Sequence, residues 1–180
     1  MSGALLARGA AILGLLASAG CSSLPFSSAK PTQACPAAVI LRPLANTAVF
    51  GPGTQTEPRP DDVAFYGLLS EVNRSCDYSA DTVQVTLDVI VIGQRGAGAK
   101  GDSVDLTYFV AVTAPGQQIL NKRNFSVHIP FAPDQIRAGV TDHIVETIPL
   151  AGRKGADITL LVGFQQSPQV VEFYKHFRGR

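Results

Sequence analysis

The residues best equipped for chemistry in this chain are three cysteines, three histidines and one glycine-rich run. His128, His143 and His176 fall on three separate segments, whereas zinc sites generally show closely spaced ligands. Asp142 and His143 are neighbours in sequence, but adjacent side chains diverge on a strand and on a helix alike. No G-x-S-x-G elbow offers a serine nucleophile. The run Gly96-Ala97-Gly98-Ala99-Lys100-Gly101 satisfies G-x-G-x-x-G, yet a dinucleotide site requires a helix next, so that the helix N-terminus can hold the pyrophosphate. Here Asp102 leads straight into another strand-like segment, so the run reads as a mobile connection between strands. It also fails as a phosphate-binding P-loop, because Ala99 precedes Lys100 and a glycine follows it. Glu57, Asp61 and Asp62 lie in a proline-rich stretch and read as a solvated acidic loop. The sequence therefore assigns no catalytic residue, no metal ligand and no cofactor.

Cys21 has the clearest setting. Residues 1–21 read MSGALLARGAAILGLLASAGC: one charge at Arg8, an apolar run from Ala10 to Ala17, then small residues up to the cysteine. The run is shorter than the roughly 20 apolar residues a membrane-spanning helix needs, and has the layout of a secretory leader. Its end, Ser18-Ala19-Gly20-Cys21, resembles the lipobox of bacterial lipoproteins, with Ser18 where leucine is commonest. The resemblance covers these 21 residues alone. It implies cleavage after residue 20 and lipid attachment to Cys21. It also implies an envelope address, with Ser22 in place of aspartate favouring the outer membrane, facing the periplasm. Residues 21–34 then form an acylated, Ser- and Pro-rich tether of about 20 Å root-mean-square reach, and residues 35–180 a single domain. With Cys21 lipidated, Cys35 and Cys76 remain as an even pair in an oxidising compartment, and a structural disulfide is expected. A redox or metal role is the alternative, without a CxxC or a nearby histidine to support it. The bridge follows simply if the runs that Cys35 opens and Cys76 closes are antiparallel neighbours.

The elements that must carry these residues are mostly strands. Val83, Val85, Leu87, Val89 and Val91 alternate with Thr82, Gln84, Thr86 and Asp88. Val104, Leu106, Tyr108, Val110 and Val112 alternate with Ser103, Asp105 and Thr107. Phe125, Val127 and Ile129 repeat the pattern, as do Ile158, Leu160, Val162 and Phe164. One-sided strands of this kind belong to antiparallel sheets with one wet face. The turn Ala114-Pro115-Gly116-Gln117 separates two of them. Segments 61–76 and 134–148 could be strands or helices; aromatic and β-branched content favours strands. Ser167-Pro168 starts a short C-terminal helix. The expected fold is an immunoglobulin-like antiparallel β-sandwich with that helix, or an α+β domain should both open segments be helical.

Charge limits the partners. The chain has 15 Lys and Arg against 14 Asp and Glu, and removing Arg8 with the leader equalises them. Nucleic acid, whose capture rests on clustered cations, is excluded as a natural partner. Lys122 and Arg123 interrupt a strand-like run, as a hairpin end, a charged edge or a recognition edge. Phe173, Tyr174 and Phe177 form part of an apolar helical stripe that packs on the sheet or docks a partner. These five residues are the candidate partner-binding set. The functional expectation is a non-catalytic interaction or envelope-assembly module, held at the membrane by its N-terminal lipid and bound to an envelope protein. A small-ligand or lipid-binding protein with residues 93–101 as a lip is the alternative, and a hydrolase the third choice.

Overall fold

The computed structural model describes residues 33–54 and 57–177. The leader, Cys21 and the tether up to residue 32 lie outside the described residues. The strands are β1 (Ala37–Ile40), β2 (Asn46–Phe50), β3 (Val63–Tyr78), β4 (Thr82–Arg95), β5 (Ser103–Ala114), β6 (Gln118–Pro130), β7 (Arg137–Pro149) and β8 (Thr159–Phe164). They form two four-stranded sheets, ordered β1-β8-β5-β6 and β2-β3-β4-β7, packed as a sandwich. Helix α1 (Pro168–His176) follows β8. Both open segments are strands, β3 and β7, so the α+β alternative does not hold. All pairings are antiparallel except β1 with β8, which run parallel.

Alternation places the core. The stripe Val83, Val85, Leu87, Val89 and Val91 of β4 is fully buried. It shares one hydrophobic cluster with the inner stripes Val104 to Val112 of β5 and Ile158 to Phe164 of β8. Gly67 of β3 leaves room for the facing side chains: a Cβ there would lie 2.8 Å from Leu106 Cδ1 and 2.7 Å from Thr47 Cγ2. The turn after β5 uses Gly116 at φ 75°, a conformation glycine adopts without strain.

One side of the sandwich is closed by the Cys35–Cys76 disulfide, with a Cα–Cα separation of 5.8 Å. The two runs are not neighbours in one sheet, as the simplest route to the bridge supposes. Strand β1 belongs to the first sheet and β3 to the second, so the bond staples the layers together. Beside it, Tyr78 Oη donates to Ala34 O at 2.6 Å.

The opposite side lies between the edge strands β6 and β7. On β7 the register with β4 turns Ala138, Val140, Asp142, Ile144, Glu146 and Ile148 inward. Two of these are carboxylates, and each is met from the facing sheet. Arg123 Nη1 donates to Glu146 Oε1 at 3.1 Å, with the glutamate side chain 4% exposed. Tyr108 Oη donates to Asp142 Oδ2 at 2.7 Å. Tyr108 stacks on Phe125 (centroids 5.5 Å apart), and the Arg123 guanidinium lies 5.1 Å from the Phe125 ring. Burial, reinforced by the Asp142 hydrogen bond, raises the Tyr108 phenol well above its ordinary pKa.

Candidate functional site

Helix α1 forms one wall of the most voluminous groove among the described residues. Ser167 Oγ accepts from Val170 N at 3.3 Å and Pro168 begins the helix, the start expected from Ser-Pro. Val170 and Phe173 face inward. Phe173 packs with Ala48 and Val63 and meets Phe50 edge-on at 5.4 Å. Tyr174 Oη donates to Thr47 O at 3.0 Å, and Gln166 Nε2 donates to Asn46 O at 2.7 Å. These bonds fix the helix over β2. Burial, with Tyr66 adding to it, pushes the Tyr174 phenol up to about 12.

Between α1, the 3-10 turn Arg42–Leu44 and the outer faces of β3 and β4 runs an open groove of about 1580 Å³. Leu68 and Ile92 point outward on opposed positions of β3 and β4 and make its floor. Val171, 40% exposed, and Phe177, 39% exposed, form the helical wall. Arg42, Arg137, Lys175 and His176 line it, and no Asp or Glu does. A shallower hollow carries the surface on past Ile90 to Gly139 and Thr141 of β7. Such a site can hold an apolar side chain on its floor and accept anionic groups at its rim; among the described residues it presents no nucleophile paired with a base.

The candidate partner-binding residues are divided by this geometry. Phe177 lines the groove with its ring open to solvent, and half-buried Tyr174 borders it. Phe173 is 3% exposed and belongs to the protein's own packing. Lys122 and Arg123 lie in mid-strand on β6, an edge strand, not at a hairpin end. Lys122 Nζ sits 4.2 Å over the Phe109 ring and donates to Gln165 Oε1 at 3.2 Å on the outer face. Arg123 turns inward to Glu146, so the two adjacent cations serve opposite faces.

The histidines stay apart. His128 meets Asp105 at 2.9 Å on the outer face of the first sheet, and His143 meets Asp88 at 2.6 Å on the outer face of the second. His176 approaches Glu172 at 3.6 Å on the helix. The glycine-rich run is the connection between β4 and β5, but it is held down: Gly96 N donates to Ala64 O at 2.7 Å and Gly98 N to Val63 O at 3.0 Å. A Cβ on Gly96 would fall 2.1 Å from Val63 O, so its glycine serves close backbone approach. No residue of 96–101 lines the groove.

Arg42, Leu68, Ile92 and Arg137 are groove residues that the sequence reading does not single out. One signal for them is present: the polar face of β4 runs Thr82, Gln84, Thr86, Asp88 and then changes to Ile90 and Ile92. No family model matches the chain, and no curated protein or solved structure is significantly similar to it.

Proposed function

We propose that the chain is a lipid-tethered, non-catalytic binding module of the bacterial envelope that holds a partner protein in the groove beside α1. The observation that carries the reading is the groove itself, a half-buried apolar floor at Leu68 and Ile92 beside a helical wall on which Val171 and Phe177 are exposed. Contiguous exposed apolar surface on a folded domain marks an interaction site. The disulfide supports the address, since such bonds persist in oxidising compartments. Attachment through Cys21 then places the domain at the outer membrane, facing the periplasm. The immunoglobulin-like pattern expected from the sequence adds a likeness of use, because sandwich loops and edges commonly serve recognition.

The test is a photo-crosslinking residue at Val171, on the groove wall, in cells that make the full chain. A control at Gln84 samples the outward face of β4 near the opposite end of that strand. A recurring protein adduct from position 171 and not from 84 is expected; equal labelling from both positions, or none, overturns the reading. In the same cells Cys21→Ser moves the chain from the membrane fraction to the soluble one, and retention at the membrane removes the tether.

A further inference from the structure

The groove is an island of one charge sign on a chain whose charges nearly balance. Three permanent cations and a histidine line it, with no carboxylate among the lining residues. Two carboxylates flank it. Glu172 is held by Lys175 at 2.8 Å, which lowers its pKa. Asp61 is near enough to help raise the Tyr66 phenol, after burial, above its ordinary value. Arg42 and Arg137 form no ion pair among the described residues and keep their guanidinium donors available. They also stand on opposite sides of the groove. Arg42 lies in the turn before β2 and Arg137 opens β7, so the two are offset along the strands; across the order β2-β3-β4-β7 the span is three interstrand spacings, about 14 Å. An extended chain covers that span in about four residues at roughly 3.3 Å each.

Resting on the docking function just proposed, we infer that the groove takes an acidic segment of a partner protein. The segment is extended, carries two carboxylates about four residues apart, and presses a large apolar side chain between them onto Leu68 and Ile92. Guanidinium groups suit this role, since they bind carboxylates through paired donors. A protein segment fits better than a lipid surface for two reasons. The site is concave, walled by α1, whereas a bilayer is flat on this scale. It also lies at the far end of the sandwich from Gln33, where the described domain begins. Tyr78, bonded to Ala34, and Leu68, on the groove floor, are ends of one strand segment about 33 Å long. The loops around Asp81 and Arg153 border Gln33 and Ala34 at that opposite end.

The test uses the full lipidated chain in vesicles and a fluorescent ten-residue peptide with glutamates at positions 3 and 7 and leucine and phenylalanine between them. The comparator carries lysines at positions 3 and 7. The acidic peptide is expected to bind at least tenfold tighter than the basic one, and more weakly as salt rises, because exposed pairs are screened. Each of Arg42→Glu and Arg137→Glu is expected to weaken it about threefold and the pair about tenfold, while Lys154→Glu at the opposite end leaves it unchanged. Equal affinity for the two peptides overturns the inference. So does binding that survives the double reversal. Binding lost in vesicles containing phosphatidylglycerol, but kept in phosphatidylcholine, identifies lipid headgroups as the occupant and also overturns it. A specific adduct at position 171 together with indifference to peptide charge removes the acidic partner and leaves the docking function standing.

Discussion

The two open sides of the sandwich are closed by different chemistry. Where β1 and β3 face one another, a covalent bond and the Tyr78–Ala34 hydrogen bond join the layers. Where β6 and β7 face one another, the layers meet through Arg123–Glu146 and Tyr108–Asp142. Strand length accounts for the contrast. Strand β1 has 4 residues and one partner strand, too little ladder to hold a layer edge. Strands β6 and β7 each have 13 residues and are well anchored along β5 and β4. Long edges are liable to pair with other chains, and inward-pointing charges are a known defence. The staple thus secures a weak edge, and the polar pairs discipline strong ones.

The staple carries the largest expected effect. A Cys35→Ser/Cys76→Ser variant is expected to lose about 4 kcal/mol, by the chain-entropy relation for a loop of this size, read from the urea midpoint. A loss under about 1 kcal/mol would show that β1 holds without it. Next comes Arg123→Ala, which leaves Glu146 buried without its cation and is expected to cost about 2–3 kcal/mol. Arg123→Leu combined with Glu146→Leu should recover most of that loss, since apolar replacement of both partners is often neutral. If the double variant is as unstable as the single one, the pair is not what closes that side.

Tyr108→Phe keeps the ring and removes the donor to Asp142, for an expected loss of about 1.5 kcal/mol. The same hydroxyl governs the alkaline limit. Tyr108 and Tyr174 have folded-state pKa values raised above the unfolded value of about 10. The stability this contributes is therefore complete below about pH 10 and lost as pH rises through the folded values. The denaturation midpoint should stay level from about pH 7 to 9, fall above about pH 10, and fall less steeply in Tyr108→Phe. A wild-type midpoint still level near pH 12 would contradict the raised phenols. The smallest effect belongs to the groove: Arg137→Glu should change stability by no more than about 0.5 kcal/mol, because that guanidinium forms no ion pair among the described residues.

The sequence makes the inner stripes of β4, β5 and β8 plain, because each inward position is apolar and each apolar side chain is buried as the alternation requires. Strand β7 shows where the pattern deceives. Ile136, just before it, and its own Val140, Ile144 and Ile148 fall four apart, a helical spacing. The cause is that Asp142 and Glu146 occupy inward positions that a simpler strand would give to valine or isoleucine. Their partners come from Tyr108 on β5 and Arg123 on β6, so the pairing could not be read along β7 alone. The groove is illegible for a related reason. Leu68 and Ile92 come together by strand register, while Arg42 and Arg137 are brought to its rim by separate elements. Only the change to isoleucine at Ile90 and Ile92 announces an outer face that is not wholly wet.

The parallel pairing of β1 with β8 has a consequence for biogenesis. Among the described residues Ala37–Ile40 form their ladder with Thr159–Val162, about 120 residues later in synthesis, and contacts so remote in sequence are slow to form. A chain emerging from a ribosome cannot finish its first layer until almost all of it has been made.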